Sequence, residues 1–414
     1  MTSTDAQDIA AQPAEPRADD PATRPVIRLQ PGRQKRVRAG HPWVYSNEID
    51  MTAEAKALAP GGLVTLVDSG GGRVGVATFN SHPLISARLL TRDVGRAIDA
   101  GFVARRLARA LELRERLYDA PFYRLAWSEA DRLPGLVCDR YGETMVIQAN
   151  SAGMDRLLPE IIEALDEVVS PANVVLRNDS AGRRLEGLAE EVAIAKGAVE
   201  GPVEVIENGV RFLCDVAGGQ KTGWFFDHRE NRARIAALSP GRRVLDVYCY
   251  LGGFGIQAAA EGAEVVAVDR SEPALELARR SAELNGISGQ IDFRRGEAFA
   301  ELGALGEAGE RFDVVVADPP AFVKSKRELK PGLKGYRKLV RLAADLVAPD
   351  GLLFVASCSH PVDHAAFAEA VRGGLRDATR GGRILFTGGA GSDHPVHPYL
   401  PESAYLKVML LQLD

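Results

Sequence analysis

Cysteine is scarce in this chain of 414 residues: there are four, at positions 138, 214, 249 and 358. None forms a C-x-x-C pair, and none has metal-ligand spacing with the seven histidines. A disulfide scaffold and a zinc ribbon are therefore excluded, no metal site is expected, and so few thiols suit a reducing, cytoplasmic setting. Long apolar runs are also missing: none approaches the roughly 20 residues needed to span a bilayer. The opening "MTSTDAQDIAAQPAEPRADDPATRP" lacks the apolar core of a signal peptide, and its Ala, Pro and Asp content predicts a disordered tail over 1–23. Nor is there an excess of positive charge. The formal net charge of −5 argues against indiscriminate attraction to a polyanion, so any nucleic-acid site has to be local. With 46% hydrophobic residues, a chain of this length buries sizeable cores and divides into two or three domains.

From residue 24 the pattern has three parts. The first, 24–95, opens "RPVIRLQPGRQKRVRAGHPWVYSNEID", in which Arg24, Arg28, Arg33, Lys35, Arg36 and Arg38 precede the first acid, Glu48. Such a segment, with Trp43 and Tyr45 behind it, either holds phosphates and stacks a base or is a solvated strand and turn with Trp43 in a small core. Short alternating segments with Gly-rich turns follow and predict a small barrel or compact sheet. In the second part, 96–195, apolar spacing predicts an amphipathic helix over 97–119, two strands around Tyr141 to Glu143, a helix over 154–169 and two further strands. This is a small α+β unit in which Cys138 is structural. "VEVIENGVRFLCDVAG" then predicts a hairpin around Asn208-Gly209 that carries Cys214.

Beyond residue 240, near-continuous apolar strands alternate with helices, which predicts an α/β fold with a parallel sheet covered on both faces and ligands at the C-terminal strand ends. The Gly-rich turn "YLGGFG" supplies Gly252, Gly253 and Gly255 but not the G-x-G-x-x-G spacing of a dinucleotide fingerprint. Glycines there let a ligand approach backbone without a Cβ. Asp246 lies inside the first strand, Asp269 ends the second, Glu297 follows the third, Asp318-Pro319-Pro320 the fourth and Cys358 the fifth. Acidic walls repel a pyrophosphate and tolerate a cationic sulfonium, and Asp269 is placed for a ribose diol, so S-adenosylmethionine is the expected ligand.

The segments "VLDVYCYLGGFG", "VVAVDRS", "VVVADPPAFVKSKRELKPGLKGYRKL" and "LLFVASCSHPVD" resemble the successive motifs of a class I methyltransferase. More narrowly, they are similar to the RlmI-like family of S-adenosylmethionine-dependent 23S rRNA (cytosine-C5) methyltransferases. "ADRLPGLVCDRYG", "QKTGWFFDHRENR" and "DHPVHPYLPESAYLKVMLL" extend the resemblance over about residues 24 to 414. It implies an N-terminal PUA-like β-barrel, a middle domain with EEHEE order and a C-terminal Rossmann-like methyltransferase domain over 196–414. It also implies that Lys221, Asp227, Tyr248 and Pro319 line the cofactor pocket with the strand-end residues above; Arg229 is a further candidate beside them.

Methylation of cytosine carbon 5 asks for a nucleophile, because that carbon is unreactive until a thiolate adds to carbon 6. Cys358 is the candidate. Asp318, protonated or hydrogen-bonded to ring nitrogen 3, would stabilise the charge that develops, and Phe322 is placed to stack on the base. The second cysteine that another family of RNA cytosine methyltransferases carries after its Pro-Pro pair is here Ala321, so the group that removes the carbon-5 proton stays unassigned. Cys249, beside the cofactor turn, is expected to be packing. After the corner, Lys324, Lys326, Arg327, Lys330, Lys334, Arg337, Lys338 and Arg341 accompany one acid, Glu328. With Arg33, Lys35, Arg36 and Arg38 they are the expected contacts to ribosomal RNA. An exocyclic-amine or small-molecule methyltransferase, which needs no cysteine, and a non-catalytic RNA-binding protein are the alternatives; whether the chain pairs as a homodimer stays open.

Overall fold

The computed structural model describes residues 19–219 and 222–414. Most of the expected tail, and Lys221, lie outside the described residues. Residues 19–23, counted above with the tail, are ordered: Asp19 accepts hydrogen bonds from Arg24 Nε at 2.7 Å and from the Ile98 amide at 2.8 Å. Arg24 is thereby buried as an anchor rather than presented to a phosphate.

The first unit holds strands β1 (Val26–Arg28), β2 (Trp43–Tyr45), β3 (Gly62–Val67), β4 (Arg73–Phe79) and β5 (Ile85–Thr91), in the order β1-β3-β4-β5-β2. The basic segment contains a short helix that strand-and-turn reasoning misses, α1 (Gln34–Ala39), closed by Gly40; α2 (Ala53–Ala57) follows β2. In the second unit, α3 (Ala100–Leu117) starts where the Asp99 carboxylate accepts the Phe102 amide at 2.7 Å, which satisfies one of the unpaired amides of a first helical turn. It buries Phe102, Val103, Leu107 and Ala110 on one face. Strands β6 (Phe122–Trp127), β7 (Leu136–Tyr141) and β8 (Thr144–Ala149) precede α4 (Ala152–Arg156) and α5 (Leu158–Val168). Then come β9 (Asn173–Asn178), α6 (Gly182–Leu185) and β10 (Glu191–Lys196). Three strands thus stand before the main helix, where the EEHEE order implies two. The sheet runs β10-β9-β8-β7-β6.

A hairpin, β11 (Val203–Glu207) and β12 (Val210–Cys214), leads through α7 (Arg229–Ala237) into the large sheet. There β13 (Arg243–Val247), α8 (Gly253–Ala260), β14 (Glu264–Asp269), α9 (Glu272–Leu284), β15 (Ile291–Arg295), α10 (Ala298–Glu307) and β16 (Phe312–Ala317) alternate. They are followed by α11 (Leu329–Leu346), β17 (Val347–Ser357), α12 (His364–Asp377), β18 (Gly382–Gly388) and β19 (Lys407–Leu413). The order β15-β14-β13-β16-β17-β19-β18 reverses between β13 and β16, so the topological switch lies there. Five strands are parallel; β19 enters antiparallel to β17, and β18 antiparallel to β19, which departs from an all-parallel sheet. Nor are both faces covered throughout, because Ile384 and Leu385 on the edge strand β18 are exposed. One face packs Phe254, Val316 and Phe354; the other packs Val315, Leu339, Leu353 and Phe367. Burial of this apolar surface is the main stabilising term.

The second unit is tied to the connection between β18 and β19 by a buried polar network. The Arg124 guanidinium, on β6, donates to both oxygens of Asp139 at 2.8 Å and lies 2.9 Å from His394 Nε2. His394 Nδ1 is 2.7 Å from Asp393, whose other oxygen accepts the Arg124 amide at 2.9 Å. Removing one partner of a buried ion pair strands the other charge without solvent, at a cost of about 3–5 kcal/mol. Asp139→Ala is therefore expected to lower the unfolding free energy by about that much in denaturant titrations of the full chain. A loss under about 1 kcal/mol would show that the network does not hold the units together.

Candidate active site

At the C-terminal ends of β13 and β14 the backbone takes an unusual path. Tyr248, Tyr250 and Gly252 all have positive φ, at 66°, 51° and 75°, and Gly252 opens α8. Glycine suits that last position because a Cβ disfavours the left-handed region. At Gly253 and Gly255 the missing Cβ leaves room for the protein's own side chains. A Cβ at Gly253 would sit 2.6 Å from Arg232 Nε, and one at Gly255 would sit 3.2 Å from an Asp246 oxygen. They let the protein's own side chains close in.

Asp246 is buried and accepts the Gly255 amide at 2.9 Å. Burial pushes its carboxyl up to about 7; the Gly255 hydrogen bond opposes this, while the charges of Asp318 and Asp269 push it further up. Asp269 accepts the amides of Tyr250 at 3.0 Å and Ser271 at 2.8 Å, which fixes its carboxylate at the end of β14. Glu297 is exposed and caps α10 through the Ala300 amide at 3.0 Å. Its charge helps to raise the Tyr248 phenol, after burial as the larger cause. Carboxylates that repel one another around one turn suit a ligand that brings positive charge and hydroxyl donors, and suit a pyrophosphate poorly.

Asp227 and Arg229 have protein partners of their own. The Asp227 carboxylate accepts the Tyr405 hydroxyl and does not cap α7, whose cap position is His228. Arg229 turns toward the second unit, donating to the Phe122 carbonyl and lying 4.4 Å from the centre of the Tyr118 ring.

Beyond the switch, Asp318 follows β16 and Cys358 follows β17. The two strands are adjacent and in register at Ala317 and Val355, so these residues lie on one side of the switch rather than across it. Pro319 is buried directly behind Asp318. The Asp318 carboxylate is partly exposed, and one oxygen lies 3.2 Å from His228 Nε2. Asn231 Nδ2 sits 3.2 Å from the other ring nitrogen and also donates to the Gly389 carbonyl at 3.1 Å. An amide donor on Nδ1 leaves Nε2 to carry the proton toward Asp318. Burial lowers the affinity of His228 for a second proton, but Asp318 and then Asp227 outweigh it, and the imidazole ends above its ordinary value.

Cys138, Cys214 and Cys249 are buried, and burial raises all three thiols. Cys358 is half-exposed. The serines beside it are structural: Ser357 and Ser359 hydroxyls lie 2.9 and 2.8 Å from the Tyr336 hydroxyl, and Ser359 accepts the Val323 amide at 3.1 Å. This cluster joins the end of β17 to the loop after the Asp-Pro-Pro corner. His360 stacks on Tyr405, with centroids 5.4 Å apart.

His228, Tyr336, Tyr405 and Lys407 are the site residues that sequence reasoning overlooks. Lys407 alone carried a signal, a charge inside the apolar strand "YLKVMLL".

Of the residues assigned to RNA, Lys324, Lys326, Arg327 and Lys330 are exposed and make no ion pair among the described residues. Farther along α11, Arg337 pairs with Asp377, Arg341 with Asp345, and Lys338 lies over Phe299. Phe322 already packs on Tyr336, with centroids 4.8 Å apart. In the first unit Arg33 and Lys35 are exposed. Arg36 pairs with Glu48 at 2.5 Å and Arg38 with Asp68 at 2.7 Å. Trp43 donates its indole N–H to Glu129 at 2.7 Å, and Tyr45 lies under the Arg36 guanidinium. Trp43 thereby joins the first unit to the second, while Tyr45 stays within its own unit.

Residues 183–377 match the S-adenosylmethionine-dependent methyltransferase family model, and residues 27–92 match a PUA-like domain. The fold agrees with a candidate SAM-dependent methyltransferase from Streptococcus mutans, at TM-score 0.78 and 18% identity, over 94% of this chain and all of that one. The chain is thus an S-adenosylmethionine-dependent methyltransferase with an N-terminal PUA-like domain. It is 37% identical over 393 residues to the ribosomal RNA large subunit methyltransferase I of Aeromonas hydrophila subsp. hydrophila, covering 93% of this chain and 98% of that one. To the protein of the same name from Tolumonas auensis it is 36% identical over 395 residues, covering 94% and 99%. The chain belongs to the ribosomal RNA large subunit methyltransferase I family. Among the described residues, no helix is long and apolar enough to cross a membrane.

On the expectation that Asp246 lines the cofactor pocket, its raised carboxyl would make binding depend on pH. A cation beside it would favour the ionised form, so S-adenosylmethionine would expel the proton that Asp246 holds below about pH 7. Affinity is expected to rise several-fold between about pH 6 and pH 7, at most about tenfold per unit, and then level off. Calorimetric titrations checking this should find the slope flattened in Asp246→Asn; an unchanged slope would mean that another group titrates.

Proposed function

We propose that the chain methylates carbon 5 of a cytosine in 23S ribosomal RNA, with Cys358 as the nucleophile. The observation that carries this reading is the placement of Cys358. Of four thiols it alone is not fully buried, and it directly follows the strand adjacent to the one that leads into the Asp318-Pro319-Pro320 corner. The name shared by the relatives supports large-subunit ribosomal RNA as the substrate. S-Adenosylmethionine supplies the methyl group, activated by its sulfonium. On this reading Asp246, Tyr248, Gly252, Asp269 and Glu297 hold the cofactor at the strand ends, with Asp318 and Pro319 between it and the base.

The Cys358 thiolate adds to cytosine carbon 6, and the electron pair of the carbon 5–carbon 6 double bond moves toward ring nitrogen 3 and carbon 5. Asp318, in its protonated form, donates to nitrogen 3 and so stabilises the charge that develops there, with the His228 ring nitrogen behind the carboxyl group. Carbon 5, now nucleophilic, takes the methyl group. Loss of the carbon-5 proton to a base then returns an electron pair to the ring, the sulfur–carbon bond breaks, and Cys358 leaves as the thiolate. An extruded or single-stranded target nucleotide is required, since a stacked base cannot reach a strand-end pocket.

The exposed lysines after the corner and the basic end of the first unit are assigned to the RNA backbone, with unit boundaries near residues 95 and 195. Contact between the units supports a common track. Tyr399, in the connection between β18 and β19, lies against Gly40 at the end of α1.

Cys358→Ala is expected to abolish 5-methylcytosine formation in ribosomal RNA while leaving S-adenosylmethionine binding within about twofold, as base-resolved product detection and calorimetry would record. Undiminished product would remove Cys358 from the mechanism and favour amine methylation at the same corner. Joint neutralisation of Lys326, Arg327 and Lys330 should weaken RNA binding and reduce the slope of log affinity against log salt by up to about three. An unaltered slope would place the RNA elsewhere.

A further inference from the structure

The strand that ends in Cys358 has a cation built in beside it. Lys407 opens β19 opposite Ser357 of β17 and is 2% exposed. Its Nζ donates to the carbonyls of Ser359 and Tyr405, each at 2.7 Å. The side chain therefore starts level with residue 357 and ends at the carbonyl of residue 359, passing residue 358. A buried ammonium is ordinarily paired with a carboxylate. Lys407 has no carboxylate within ion-pair distance among the described residues; two neutral carbonyls hold it.

The ionisable groups around it narrow the choice of counter-charge. Burial lowers the Lys407 ammonium to about 8, against the opposing pull of Cys358 and then Asp363. Asp363 sits at the start of α12, where its carboxylate accepts the Ala366 amide at 2.7 Å. Tyr336 and Tyr405 both interact with Cys358, and burial raises both phenols, so they stay neutral. Asp227 takes the Tyr405 hydroxyl, on the far side of that ring from its backbone carbonyl. Of these groups, Cys358 exerts the larger pull on the ammonium and is the residue that the lysine side chain passes.

We propose that Lys407 is a positioning residue that keeps Cys358 as a thiolate, resting on the reading of Cys358 as the reacting thiol. The S–H bond breaks, its proton goes to water, the sulfur keeps the electron pair, and Lys407 stays an ammonium. A thiolate beside a cation forms at lower pH than a free thiol.

The test is the rate at which iodoacetamide alkylates Cys358 in the full chain, without RNA, followed by mass spectrometry from about pH 5.5 to 9.5. In the wild type the midpoint is expected at least about one unit below the ordinary thiol value of about 8.5. In Lys407→Met it should rise by about one to two units, slowing alkylation at neutral pH about ten- to a hundredfold. Lys407→Arg should restore the low midpoint; a purely structural lysine would leave the midpoint unmoved in every variant. A wild-type midpoint at or above about 8.5 overturns the proposal without any variant, and so decides the matter even if Lys407→Met does not fold. An unmoved midpoint in a folded Lys407→Met, with its S-adenosylmethionine binding intact, overturns it as well. Alkylation reports on the thiol whatever base is methylated. A low midpoint together with undiminished methylation by Cys358→Ala would therefore refute the nucleophile and leave the ion pair standing.

Discussion

The antiparallel entry of β19 beside β17 is the constraint on which the reacting end of this molecule depends. β17 is the strand at which the sheet changes character, with a parallel neighbour carrying Asp318 on one side and an antiparallel neighbour on the other. Parallel strands all present the same end to the ligand face, and a last strand inserted in reverse presents its beginning there instead. The N-terminal residue of β19 is thereby brought level with the C-terminal residues of β17. In this chain that residue is Lys407. The alternation of helix and strand up to β17 sets the ring of carboxylates, and the reversal after it sets a cation among carbonyls.

The second unit acts on the same region through its charges. Arg124 is buried, and its partners come from β7 and from the connection before β19. Trp127, at the end of β6, lies against both His394 and Tyr405, with centroids 5.1 and 5.7 Å apart. The middle sheet therefore forms one wall of the reacting end. Buried polar networks of this kind contribute little net stability compared with apolar packing of the same volume, yet they fix where the connection lies.

Much of this was legible in the sequence, for identifiable reasons. Asp318 and Cys358 each follow an unbroken apolar run, and such runs in an alternating chain end at the ligand face whatever the details. The helix read over 97–119 from apolar spacing forms as α3 and starts later, where the Asp99 carboxylate caps it. Lys407 was not legible in the same way. Its importance comes from the strand it pairs with and from that strand's direction, and neither is a property of local spacing. The glycines of "YLGGFG" carry a related ambiguity: a missing Cβ shows that something comes close, and only the fold shows that Arg232 and Asp246 do so at Gly253 and Gly255. The reading of 19–23 as disordered failed because Asp19 gains its order from a partner distant in sequence, Ile98.

The mutual repulsion of Asp246, Asp269 and Asp318 bears on turnover as well as on recognition. Giving up a methyl group turns a positively charged sulfur into a neutral one. On the proposed assignment, the acidic surroundings that favour the fresh cofactor lose part of their hold at the moment the reaction is complete. The same electrostatic arrangement then drives exchange of the used molecule for a new one, with no moving part required.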